Sequence, residues 1–172
     1  MNFSEVANSG FFYLAPLLVF LPLTGMLINM IFGGKMSEKA VGTVASLASG
    51  SAFVVSVLLA YSLNAVHGEA HSIFFAEWIH IGQLQLDWTF RIDSLSTVMM
   101  LVVSGVGTLI HIYAIGYMHE DVRFKDDVGR FRRFFVFLNL FIAMMMILVS
   151  GDSYLMLFVG WEGVGLCSFL LI

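Results

Sequence analysis

The chain has 172 residues, of which 59% are hydrophobic and 12% charged, with a formal net charge of −4 and a mean hydropathy of +0.92. A water-soluble domain carries roughly a quarter charged residues, so this composition excludes one and places the chain in a bilayer. One cysteine, Cys167, excludes a disulfide framework, and the small, scattered charge offers no footprint for nucleic acid.

Residues 1–10 carry Glu5 and no lysine or arginine, so they lack the basic start of a removable signal and the first apolar run reads as a retained span. That run, 11–32, is uncharged and holds Pro16 and Pro22, interruptions of the kind membrane helices tolerate. After a polar turn at 33–39, a second span is predicted over 40–63. Its Gly42, Ser46 and Gly50 recur every fourth position and form a face for close helix packing.

Residues 64–93 break the pattern of long apolar runs. From Leu84 the even positions through Ile92 are apolar and the odd positions through Asp93 polar, the period-two mark of a half-buried strand. Residues 74–81 are a weaker strand, and Gly82-Gln83 suits a two-residue turn. A small β-hairpin at about 73–92, lying over the membrane surface, is expected. His67, His71 and His80 flank or occupy it at spacings that match no tight metal site.

A third span is predicted over 95–118, entered through Asp93 and Ser94, either of which can cap it. His111 is its one titratable group besides tyrosines. Two roles are open to it, a station on a proton path or a hydrogen bond to a neighbouring helix. The stretch 119–133 is the most charged and reads as a solvated connection. A fourth span follows at 134–150, with Asn139 as its polar point and Met144 to Met146 as adaptable filler. The turn at Gly151-Asp-Ser153 is so short that spans four and five must be antiparallel neighbours. Asp152 there either caps span five or sits at the mouth of a path.

Span five, 154–172, contains a single charged residue, Glu162. A helix of this length covers roughly 28 Å, so Glu162 lies near the middle of the bilayer. A carboxylate there costs between roughly 2.5 and more than 10 kcal/mol, which makes a proton or ion relay the default reading. The alternative is a hydrogen bond that merely holds helices together. Gly160, Gly163 and Cys167 make a narrow small-residue stripe beside it, and Trp161 is open to packing or to lipid.

Of eight lysines and arginines, Arg91 alone lies between spans two and three. Lys35, Lys39, Arg123, Lys125, Arg130, Arg132 and Arg133 all fall in or beside the loops after spans one and three. The positive-inside rule then puts the N-terminus and the hairpin outside. No nucleotide loop, dinucleotide fingerprint, CxxC or HExxH occurs, so no cofactor or metal is expected in this chain.

The fold class is thus an all-α polytopic membrane protein, five transmembrane helices forming a single membrane domain over 1–172 with one small hairpin. Four motifs resemble a known family: Phe90-Arg-Ile-Asp-Ser-Leu-Ser96, His111-Ile-Tyr-Ala-Ile-Gly-Tyr-Met118, Arg132-Arg-Phe-Phe135 with Asn139-Leu-Phe141, and Gly160-Trp-Glu-Gly-Val-Gly-Leu-Cys-Ser168. They are similar to the N-terminal part of the antiporter-like subunit L, or chain 5, of proton-pumping NADH:quinone oxidoreductase, respiratory complex I. The counterpart in multisubunit sodium/proton antiporters shares much of the pattern and is the alternative, beside a non-transporting assembly fragment.

The resemblance implies a proton-translocating membrane protein with no redox centre of its own. Its partners would be other membrane-arm subunits of complex I, the lipid bilayer and the remaining C-terminal part of the subunit. Its place would be the inner (plasma) membrane. Glu162 would pair with a lysine on a later span and tune its proton affinity, with His111 as a further candidate site. No lysine or arginine occurs within the five spans, and the run closing on Leu170-Leu-Ile172 has no polar anchor. Both features point to a truncated or split product that would not pump alone.

Overall fold

The computed structural model describes residues 10–125 and 128–172. Among these, five helices are long and apolar enough to cross a membrane. Helix α1 spans Leu17–Phe32 and is preceded by a short 3-10 turn at Phe12–Leu14. Helix α2 is Glu38–Ala65, the strands β1 and β2 are His71–Ile81 and Leu84–Ile92, and α3, α4 and α5 are Ser94–Lys125, Val128–Ser150 and Tyr154–Leu171. Every predicted span and the hairpin are present, with boundaries shifted by a few residues. The expected position of the N-terminus falls on residues 1–9, outside the described residues.

The largest difference lies at 119–133, read from its charge as a solvated connection. Helix α3 runs on to Lys125 and α4 already begins at Val128; residues 126–127 lie outside the described residues. Nothing between His119 and Lys125 breaks a helix, since no glycine or proline occurs there. Side-chain charge marks where the helix leaves lipid, not where it stops. His119 Nδ1 lies 2.7 Å from Glu38 Oε2, tying this extension to the first turn of α2, and Arg130 Nε lies 2.8 Å from Asp121 Oδ2.

Helices α1 to α4 close into a ring: α2 packs on α1 and α3, and α4 closes it by packing on both α1 and α3. Helix α5 stands outside this ring and packs on α4. Half of the α4 span is buried in the chain, against 17% of the α5 span. Lipid tails are as apolar as leucine, so such helices associate by close approach, and small residues mark the contacts. A Cβ at Gly42 would lie 2.6 Å from Ile115 Cγ1, which places the stripe of α2 against α3 as its four-residue spacing predicts. A Cβ at Gly160 would lie 2.6 Å from both the Cα and the backbone N of Leu148, and one at Gly163 2.5 Å from Met144 Sδ. With Cys167 buried on the same line, the stripe of α5 is its contact with α4.

The hairpin sits on one end of the ring. Its strands pair antiparallel from His71 with Ile92 to Ile81 with Leu84, with register shifts after Phe74 and after Glu77. Gly82 takes φ +60°, the left-handed value the first central residue of a tight hairpin turn needs and glycine gives most readily. The apolar side of β2 faces the bundle: Phe90 and Ile92 are buried among Met100, Ile147 and Met156. At the tip, Ile81 is exposed.

Candidate functional site

Two regions carry the sequence-predicted residues, and the fold keeps them apart. The first begins at the hairpin. Asp93 caps α3: its Oδ1 accepts from the Ser96 backbone N–H at 2.8 Å, and its own N–H donates to Ser96 Oγ at 2.8 Å. Arg91 Nε donates to Asp93 Oδ2 at 3.0 Å and Nη1 to Asp152 Oδ1 at 3.3 Å. The guanidinium thus holds β2, the head of α3 and the turn before α5 together. The two carboxylates keep Arg91 firmly protonated, and the Ser96 amide, helped by Arg91, holds the Asp93 carboxyl below the usual carboxylate range.

Capping of α5 falls to Ser153, whose Oγ accepts from Met156 N at 3.3 Å. Asp152, the acid that the sequence offers as a cap, is instead turned to Arg91, whose charge competes for it. The Asp152 N–H donates to the Thr89 carbonyl at 3.2 Å, and Gly151 bridges Phe90, so β2 fixes the start of α5 directly.

From this anchor α5 descends, and Glu162 comes eight residues after Tyr154, about 12 Å along the axis. The side chain is exposed on the surface of the chain and makes no hydrogen bond or ion pair among the described residues. Neighbouring Trp161 is 64% exposed. Because Gly160 and Gly163 face α4, Glu162 is carried on the flank of α5 that turns away from the ring. A carboxyl group there can exchange a proton with whatever covers that flank, and by itself it has no base in reach.

The second region lies inside the ring. His111 is fully buried, with Nε2 2.9 Å from Asn139 Oδ1 and Nδ1 2.7 Å from the Gly107 carbonyl oxygen. On the same face of α3, one and two turns back, Thr108 Oγ1 lies 3.2 Å from Ser49 Oγ, and Ser104 Oγ donates to Ser56 Oγ at 3.1 Å. These hydroxyls form a polar seam through the α2–α3 contact. Sequence reading passed over it, although Ser104, Thr108 and His111 share the i, i+4, i+7 spacing that signals one face. Most of the seam is also tied to backbone: Ser56 and Thr108 each donate to the carbonyl four residues back, and the one hydrogen of the Ser104 hydroxyl is shared between Ser56 Oγ and the Met100 carbonyl. That pattern suits interhelical attachment more than a water-filled channel.

Glu162 and His111 are not brought together. Gly163 packs at the level of Met144, five residues or roughly 7 Å of helix rise from Asn139, and α4 stands between them. The three histidines that flank or occupy the hairpin do not converge on one another. His71 stacks on Phe12 with centroids 4.4 Å apart, His80 Nε2 lies 2.7 Å from Asp87 Oδ1, and His67 takes a left-handed φ of 54°. No group of three potential metal ligands gathers among the described residues.

Residues 78–135 match the family described as NADH-Ubiquinone oxidoreductase (complex I), chain 5 N-terminus. The match takes in Arg91, Asp93 and His111 and stops short of Glu162. The chain is 45% identical over 159 residues to NADH-quinone oxidoreductase subunit L of Mycobacterium tuberculosis, covering 91% of this chain and 24% of that protein. Subunit L of Rickettsia bellii is 37% identical over 159 residues, 92% of this chain and 24% of the relative. NADH-ubiquinone oxidoreductase chain 5 of Phytophthora infestans is 36% identical over 156 residues, 90% and 22%. The chain therefore spans about a quarter of the length of the curated relatives it matches.

Proposed function

From a chain that corresponds in sequence to the N-terminal part of complex I subunit L, we infer an antiporter-like membrane subunit of NADH:quinone oxidoreductase in which Glu162 is a proton-relay carboxylate. The observation that carries this reading is the placement of Glu162. It is the one aspartate, glutamate, lysine or arginine inside the five apolar spans, near mid-membrane, on a flank of α5 that the ring leaves open. An acid exposed to acyl chains is costly enough to require a partner. The relatives are about four times longer, which supports assigning that partner to the remainder of the subunit.

The mechanism follows from the electrostatics of such a pair. An ionised Glu162 beside a lysine raises the lysine's proton affinity, and lengthening their separation lowers it again, so the proton is held and then released. Electron transfer from NADH to quinone belongs to partner subunits and couples to this pair through conformation or field. The enzyme is a translocase of which this chain is a membrane part. The Arg91 cluster, which clamps β2 to the heads of α3 and α5, would keep the Glu162 helix at a fixed depth. The lysines and arginines at the end of the ring opposite the hairpin support an orientation with the hairpin on the outer face of the inner membrane.

The test is Glu162→Gln in the complete complex. NADH-driven proton uptake into inverted vesicles falls strongly, while the complex still assembles and still passes electrons from NADH to an artificial acceptor. Normal proton uptake in that variant refutes the relay. Proton uptake driven by a sodium gradient without NADH would favour a place in a sodium/proton antiporter instead.

A further inference from the structure

We propose that His111 and Asn139 form a proton-operated amide switch between α3 and α4. The inference rests on contacts within this chain and stands apart from the role of Glu162. Both imidazole nitrogens of His111 face oxygen acceptors, the Gly107 carbonyl at 2.7 Å and Asn139 Oδ1 at 2.9 Å. A neutral imidazole has a single N–H, so it can satisfy only one of them. The Gly107 carbonyl belongs to the helix backbone four residues earlier and cannot turn away. Nδ1 therefore keeps its proton in either state, and Nε2 is where a proton is gained or lost.

The Asn139 amide is the part that can answer. With Nε2 protonated, Oδ1 accepts from the ring and the Nδ2 amide points away, which is the heavy-atom arrangement of the structure. With Nε2 bare, its lone pair meets Oδ1, two acceptors in contact in a buried site. Turning the amide over by half a rotation presents an N–H of Nδ2 to Nε2 and restores the bond. One proton binds the Nε2 lone pair or leaves it, and no other bond to hydrogen changes hands.

Two further observations fit a rotor. Asn139 is fully buried, yet its Nδ2 has no hydrogen-bond partner among the described residues, so this end of the amide is not locked. It lies where a Cβ on Gly25 of α1 would come within 2.7 Å, so the glycine leaves the room that the amide occupies. The switch therefore reorients a dipole at the meeting point of α1, α3 and α4. Among the described residues, no charged group is seen to compete for the ring. Helix α1 has none, those of α2 sit in its first turn at Glu38 and Lys39, and those of α4 are Arg130, Arg132 and Arg133 in its first two turns. Phe135 flanks the imidazole at 6.2 Å between centroids.

The test is magic-angle-spinning NMR of the full chain in lipid bilayers, with 15N in histidine and asparagine, between pH 4 and 9. Asn139→Ser identifies the amide signal and His111→Gln the ring signals. The expected result is a His111 Nε2 resonance that changes from protonated to bare over that range while Nδ1 stays protonated. The Asn139 side-chain amide signal shifts with the same midpoint. In Asn139→Asp, whose carboxylate only accepts, Nε2 stays protonated at the pH where the wild-type ring has lost its proton. An Asn139 signal that stays constant through the His111 titration, or a His111 ring fixed in one neutral tautomer throughout, overturns the switch. Either outcome leaves the pair as a structural tie.

Discussion

Inside the ring of α1 to α4, the polar side chains of the α2–α3 seam, and the His111 ring beside it, meet partners across helices. Ser49 meets Thr108, Ser56 meets Ser104, and His111 meets Asn139. On α5 the single acid has none among the described residues, and most of the helix surface is bare. Each side chain of the three ring pairs has its partner within the ring, although the Asn139 Nδ2 end is unpaired among the described residues. On the fifth helix the group left without a partner among those residues is the one carboxylic acid within an apolar span. The comparison separates a scaffold from the proposed site: the ring and the Arg91 clamp fix the start of α5, and Glu162 faces outward to a surface that the ring does not supply.

This division can be broken most severely at the α4–α5 contact. Gly160→Leu drives a side chain into the Leu148 backbone and is expected to detach α5, read as loss of the helix contact in cysteine crosslinking between the two helices. Gly160→Ala is milder, at about 1–3 kcal/mol, because a backbone 2.6 Å away cannot yield. Gly42→Ala meets only the movable Ile115 side chain at 2.6 Å and is expected to cost about 1 kcal/mol or less. Unfolding in mixed micelles orders the two alanine variants; equal losses would mean that α5 is held no more rigidly than the ring.

A smaller effect is expected at the clamp. Asp93→Ala removes the α3 cap and one arm of Arg91 and lowers stability by about 1 kcal/mol. The pH dependence has a definite sign. Asp93 is held below its ordinary value in the folded chain, so its contribution is fully present above the unfolded value near 3.9 and is lost as pH falls through the lower, folded value. The wild type therefore loses stability in acid faster than Asp93→Ala does, which thermal unfolding followed from about pH 5 down to well below the ordinary carboxylate value near 3.9 measures. The smallest effect belongs to the hairpin tip, where His80→Ala breaks an exposed contact to Asp87 and changes stability by less than about 0.5 kcal/mol.

The five spans were legible because apolar runs and their charged borders are set by bilayer thickness, and the hairpin because β2 alternates cleanly into a half-buried face. The small-residue stripes of α2 and α5 also read correctly, since close approach of two helices leaves few other choices. Three features were hidden. Charge density at 119–133 suggested a loop, but α3 runs on to Lys125, where nothing from His119 onward opposes helix, and α4 already begins at Val128. The cap of α5 passed from Asp152 to Ser153 because Arg91, distant in sequence, takes the carboxylate. The outward aim of Glu162 was only implicit, since the small-residue stripe phases α5 but only the structure showed that the stripe faces α4. The His111–Asn139 pair was visible as two polar points on separate spans, and only the packing of α3 on α4 joined them.

The most direct measurement compares protons translocated per NADH oxidised in the complete complex carrying Glu162→Asp with the same complex carrying Glu162→Gln. The account predicts that aspartate, which keeps a titratable carboxyl on the open flank of α5, retains most of the wild-type stoichiometry, while glutamine loses it with the complex still assembled. Equal stoichiometry in the two variants would contradict it.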